Sequence, residues 1–114
     1  MRNDAAEKLT NQLKDNEKVK TPSLAPYADK NVYHIYAILL ENRDGLQKHL
    51  NDNGIQSGIH YPVPIQKTKP FNYLDSFENK NAIQFAEQML SLPMHPFLTD
   101  EEIGHISKTI NEFF

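Results

Sequence analysis

The sequence predicts a small α/β (α+β) domain, a mostly antiparallel or mixed sheet of two to four strands packed with about four helices. Three observations lead there. Apolar residues recur at helical spacing in four separate stretches, and short runs rich in β-branched and aromatic residues stand between them. The chain has 114 residues and is 39% hydrophobic, with six Phe and five Tyr, enough for one core. A chain of this length buries roughly two-thirds of its surface on folding, so residues 1–114 are read as a single domain. Helices alternating with a few strands then suggest one sheet with helices laid on it.

Residues 3–15 read as the first helix, with Ala5, Ala6, Leu9 and Leu13 on one side. Residues 21–31 read as a loop, broken by Pro22 and Pro26 and ending in the turn formers Asp29 and Asn31. Val32 to Leu40 is the strongest strand; both of its faces are largely apolar, which suggests a central place in the sheet. Asn42 or Asp44 is placed to cap a second helix whose buried stripe is Leu46 and Leu50, and Asn53-Gly54 supplies its left-handed stop. Ile55 to Tyr61 reads as a second strand, and residues 62–78 read as irregular. A third helix is expected over residues 79–91, with Ala82, Phe85, Ala86 and Met89 at helical spacing. Residues 91–96, Ser-Leu-Pro-Met-His-Pro, read as a rigid extended segment. The last helix has the clearest start: Thr99 and Glu102 form a capping box, Leu98 and Ile103 are placed for a hydrophobic staple, and Ile103, Ile106, Ile110 and Phe113 make the apolar stripe.

Composition excludes several function classes. With no cysteine there is no disulfide framework, thiolate metal site or cysteine nucleophile, which fits a reducing, cytoplasmic setting. Net charge is −3 and the basic residues are scattered, so no nucleic-acid partner is expected. No apolar run approaches the ~20 residues of a membrane span, and the polar start Met1-Arg2-Asn3-Asp4 shows no signal peptide. Four glycines spread along the chain cannot build a phosphate-binding loop, and there is no nucleophile elbow.

The candidate chemistry lies in residues 54–64, Gly-Ile-Gln-Ser-Gly-Ile-His-Tyr-Pro-Val-Pro. His60 and Tyr61 sit at the end of a short apolar stretch, before two prolines that cannot continue a sheet ladder. Held by stiff backbone, such a pair can hydrogen-bond a polar ligand. The bland alternative is a histidine packed against a loop, with Tyr61 as a core aromatic. His34 reads as a core or sheet-surface histidine, and His49 and His105 as solvated helix residues. His95, between two prolines, reads as structural. No pair has convincing ligand spacing, so no metal is expected. Asp100-Glu101-Glu102 is explained by its place in the first turn of a helix, where carboxylates complement the dipole.

Three segments in order carry a resemblance: Tyr33-His34-Ile35-Tyr36; Gly54-Ile55 through His60-Tyr61-Pro62 to Pro64; and residues 90–96 followed by Leu98, Thr99 and Glu102. Together they resemble the C-terminal small domain of the pyridoxal-phosphate-dependent sugar aminotransferases of the DegT/StrS type, with the aspartate aminotransferase fold. The resemblance covers nearly the whole chain. It implies transfer of an amino group, usually from glutamate, to a keto-sugar attached to a nucleotide. It places the Schiff-base lysine, and the acid beside the pyridine nitrogen, in a large domain upstream. The lysines here match no such motif, so the resemblance implies no cofactor in this chain and no catalysis by it alone. By motif position, the family's sugar-contacting His-Tyr pair maps onto His60 and Tyr61. A further histidine of the motif is replaced by Gln66, which can still donate and accept hydrogen bonds.

The expected partners are therefore a nucleotide-sugar substrate in the intact enzyme and a large pyridoxal-phosphate-binding domain or complementary chain. Uncovered apolar surface around Tyr61, Val63, Met94 and Phe97 suggests self-association. The alternative is a stand-alone nucleotide-sugar-binding or protein-interaction module derived from the same domain.

Overall fold

The computed structural model describes residues 2–64, 67–74 and 80–114. Helix α1 runs from Arg2–Leu13, strand β1 from Tyr36–Leu39, helix α2 from Arg43–Asp52, helix α3 from Lys80–Gln88, strand β2 from Met89–Leu92 and helix α4 from Asp100–Phe113. A 3-10 helix covers Lys69–Leu74. The two strands pair antiparallel, Tyr36 opposite Leu92 and Leu39 opposite Met89. Single bridges extend each edge, Lys20 to Leu39 on β1 and Gly58 to Ser91 on β2. The helices pack α1 on α4, α2 on α4 and β2, and α3 on β1. Among the described residues the chain adopts the expected class, a small antiparallel sheet with four α-helices.

The core explains this arrangement. Leu9 and Leu13 of α1, Tyr36 and Ile38 of β1, Leu46 and Leu50 of α2, Leu90 of β2, and Ile103 and Ile110 of α4 lose essentially all their exposed surface. Each comes from an expected helix stripe or from the expected strand Val32 to Leu40, except Leu90, which falls within the expected third helix and lies instead in β2. At about 25 cal/mol per Å2 of apolar surface removed from water, this cluster is the main stabilising term. The α4 capping box is complete: Glu102 N donates to Thr99 Oγ1 at 3.1 Å, and Thr99 N donates to Glu102 Oε2 at 2.8 Å. Leu98 and Ile103 both join the core. Gly54, at φ +78°, stops α2 in the left-handed region that its sequence position called for.

Several expectations are corrected. The strand does not begin at Val32: Asn31 Oδ1 accepts from Tyr33 N at 2.9 Å, and Tyr33 takes a positive φ of 49°, so pairing starts only at Tyr36. The second strand is not Ile55 to Tyr61, which contributes the single Gly58 bridge; it is Met89–Leu92. The third helix accordingly stops at Gln88, where Arg43 Nη1 donates to the Ala86 carbonyl and, at 3.5 Å, to that of Met89. This cation covers the carbonyl end of α3, where helix carbonyls lack partners. Of the expected α3 stripe, Phe85 is exposed and Ala86 is the buried member. β1 is one of two strands among the described residues, flanked by β2 on one side and by the single Lys20 bridge on the other, and α3 packs on it. Asn42 stands at the start of α2 but makes no side-chain cap.

Candidate functional site

The site is built where the chain passes the open edge of β2. Gly58 N donates to Ser91 O at 3.0 Å, and Ser91 N donates to Gly58 O at 2.7 Å. Ile59 packs against the core just beyond this clamp. The chain is thus fixed on two sides immediately before His60. Pro62 and Pro64 follow, and neither can donate to a ladder, so no strand continues and the pair stands free of the sheet.

His60 is exposed, yet one ring nitrogen is tied down: Nδ1 lies 2.8 Å from Ser91 Oγ. Its ring stands edge-on to that of Tyr61, centroids 5.7 Å apart and planes at 86°. The His60–Tyr61 peptide is cis. Tyr61 is 75% exposed and Val63 46%, so Tyr61 is no core aromatic. The structure therefore brings His60 and Tyr61 together at one outward-facing edge. Gln66 lies outside the described residues. The arrangement offers a ligand one imidazole nitrogen, one phenol and an aromatic face, groups that bind polar oxygen atoms and stack on flat or apolar ones.

The other histidines are placed elsewhere. His34 is exposed in a bend before β1 rather than in a strand. His49 is half-buried, not solvated, with Nε2 3.0 Å from the Thr109 carbonyl oxygen of α4. His105 is exposed, and its Nε2 lies 3.1 Å from Asn53 O at the end of α2. These two rings tie α2 and α4 together in both directions. His95 Nδ1 accepts from Phe97 N at 3.2 Å, a local turn contact in keeping with a structural part. A cleft of about 520 Å3 lies between the Gly54 turn, the segment from Pro93 to Leu98 and α4, with His95, Glu101 and His105 on its walls. His60 and Tyr61 are not part of it. Among the described residues no cluster of His, Asp or Glu could hold a metal ion, and no helix is long and apolar enough to cross a membrane. Two of the three first-turn acids have partners: Asp100 pairs with Lys8 at 2.6 Å. The Thr99 backbone N–H holds the Glu102 carboxyl below its ordinary range.

The profile of the DegT/DnrJ/EryC1/StrS aminotransferase family matches residues 1–111. The chain belongs to this family. It is 35% identical over 109 residues to the erythromycin biosynthesis sensory transduction protein EryC1 of Saccharopolyspora erythraea, covering 92% of this chain and 29% of that protein. It is 37% identical over 86 residues to a UDP-N-acetyl-3-dehydro-α-D-glucosamine 3-aminotransferase of Acidithiobacillus ferrooxidans, covering 75% of this chain and 23% of the relative. The crystal structure of S. venezuelae DesV in complex with a ketimine intermediate superimposes with a TM-score of 0.88 at 28% identity, over 98% of this chain and 30% of DesV. The chain thus corresponds to a fragment, spanning under a third of the length of these DegT-family relatives.

The family's cofactor is pyridoxal phosphate, held as a Schiff base by a lysine that must give up its proton to react. Among the described residues no lysine of this DegT-family chain is set apart for that role. All ten lysines are exposed. Lys8, beside Asp100, has its pKa raised, the direction opposite to the one an imine-forming amine needs.

Two residues that support the site escaped the sequence reading. The sequence places Ser91 in a stiff segment and Gly58 in a strand, and marks neither as a support for His60. The available signals were a lone hydroxyl inside the apolar run Met89-Leu90-Ser91-Leu92 and a glycine two positions before His60.

Proposed function

We propose that this chain is the C-terminal small domain of an aminotransferase acting on nucleotide-linked keto-sugars, and that His60 and Tyr61 form one wall of its sugar site. The observation that carries the reading is the exposed His60–Tyr61 pair, clamped at the edge of β2 by the Gly58–Ser91 bridge, in a chain of this family. Two relatives support the substrate class: the Acidithiobacillus enzyme is named for a UDP-linked keto-sugar, and DesV holds a ketimine. In this reading pyridoxal phosphate and its lysine belong to a large domain, or complementary chain, outside these residues. The small domain binds and orients substrate oxygen atoms, and alone it transfers no amino group. Gln66 is a third candidate contact on the same wall.

The test is reduction with borohydride after incubation with pyridoxal phosphate. The chain alone is expected to give no adduct at a unique lysine and no amino-transfer turnover. Joined to a large domain of this family, it is expected to aminate a nucleotide keto-sugar. A single lysine adduct with turnover by the chain alone would overturn the reading.

A further inference from the structure

We infer that Ser91 is a positioning residue for His60: its hydroxyl donates to Nδ1, holds the neutral imidazole in the Nε2–H form, and so makes His60 a hydrogen-bond donor toward a ligand oxygen. The consequence for the ligand rests on the reading of His60 as a substrate contact. The tautomer does not.

The argument begins with burial. Ser91 keeps only 6% of its surface, in the middle of the apolar strand β2. A buried hydroxyl proton without an acceptor has given up its water partner with nothing in return, which is costly. Among the described residues, His60 Nδ1 is the sole hydrogen-bond partner of Ser91 Oγ, at 2.8 Å. The backbone N–H and C=O of Ser91 are both used by Gly58. If Nδ1 carried the ring proton and donated to Oγ, the Ser91 proton would be left without an acceptor. Donation from Oγ to Nδ1 satisfies both groups. A neutral imidazole has one N–H, so the proton then sits on Nε2.

Gly58 completes the seat. A Cβ built on Gly58 would stand 3.0 Å from His60 Cε1, tighter than ordinary contact. A side chain at position 58 would therefore crowd the ring, which would have to give by a few tenths of an ångström. Gly58 does not have the positive φ that Gly54 has, so alanine is admissible to its backbone. Gly58→Ala should shift the ring and loosen its hydrogen bond to Ser91 while leaving the bridge to β2 in place.

An Nε2–H that is fixed in direction recognises an acceptor oxygen and rejects a group that can only donate. His60 is then a chosen donor rather than a ring that adapts to either.

The test is nitrogen NMR of the histidine rings of the 114-residue chain at mildly alkaline pH, with His60 assigned by substitution. The wild type is expected to show His60 in the Nε2–H form alone, with Nδ1 shielded by the hydrogen bond it accepts. Ser91→Ala and Gly58→Ala should both lose that shielding and relax toward a tautomer mixture, and Ser91→Thr should keep the wild-type signature. A proton on His60 Nδ1 in the wild type, or an Nδ1 signal unmoved in folded Ser91→Ala, would overturn the inference. If Ser91→Ala does not fold, Gly58→Ala and the wild-type spectrum decide it. The measurement uses no substrate, so its failure is distinct from a failure of His60 to contact the sugar.

Discussion

The hydroxyl of Tyr36 lies 2.7 Å from Thr10 Oγ1, joining the start of β1 to the middle of α1 across 26 positions. The Tyr36 ring is wholly buried. Burial pushes its phenol above the ordinary value of 10, and the bond with Thr10 partly offsets this. Tyr36→Phe should cost about 1 kcal/mol at neutral pH, read by chemical denaturation. The stability linked to the neutral phenol is fully present below pH 10 and is lost as pH rises above it, because the unfolded chain ionises first. The phenylalanine variant should lack that loss, so the gap between the two proteins should narrow in alkali.

Thr99→Ala should cost about 1 kcal/mol through the lost cap of α4. It should also remove part of the acid sensitivity. The Glu102 carboxyl is held below its ordinary range chiefly by the Thr99 N–H, which the variant keeps, and less by the Thr99 side chain, which it loses, so only the smaller part of the effect should go. Its contribution is present above the unfolded value and is lost as pH falls through the lower folded one. Thermal melts at neutral and acid pH should show the wild type falling toward the variant.

Ile106→Ala should cost roughly 2–5 kcal/mol, since Ile106 is buried in the α4 stripe. A urea midpoint shift as small as that of a surface change would mean that α4 does not pack as described.

The chain should self-associate. Tyr61 and Val63 are open to solvent and Phe97 is 77% exposed, whereas Met94, expected to join them, packs partly against the core. Sedimentation should show association that rises with concentration and is suppressed in Tyr61→Asp and Phe97→Asp. A strict monomer at high concentration would contradict this.

Features decided within a few residues were legible in the sequence, and features decided by pairing were not. The Thr99–Glu102 box and the Gly54 stop depend on neighbours at most three positions away, and both formed as read. Met89 fits a helical stripe and a strand equally well by spacing; pairing with β1 selects the strand. Val32 to Ile35 has strand composition, but the Asn31 side chain captures the Tyr33 N–H and turns the backbone away. At the site, the prolines and glycines around His60 and Tyr61 marked the pair. The partner that fixes His60 is 31 positions away in β2, beyond any local signal.

The most direct test of the central claim is steady-state kinetics on His60→Ala and Tyr61→Phe in a catalytically complete aminotransferase that carries these residues as its small domain, with a thermal melt on each variant. Each loses a hydrogen bond to the substrate, so catalytic efficiency should fall by about 1–3 kcal/mol, or roughly 5- to 150-fold, with the cofactor absorbance nearly unchanged; the melt should hold in Tyr61→Phe and drop modestly in His60→Ala, which leaves the buried Ser91 hydroxyl without its partner. Unchanged efficiency in a well-folded double variant would contradict the account and remove both residues from the sugar site.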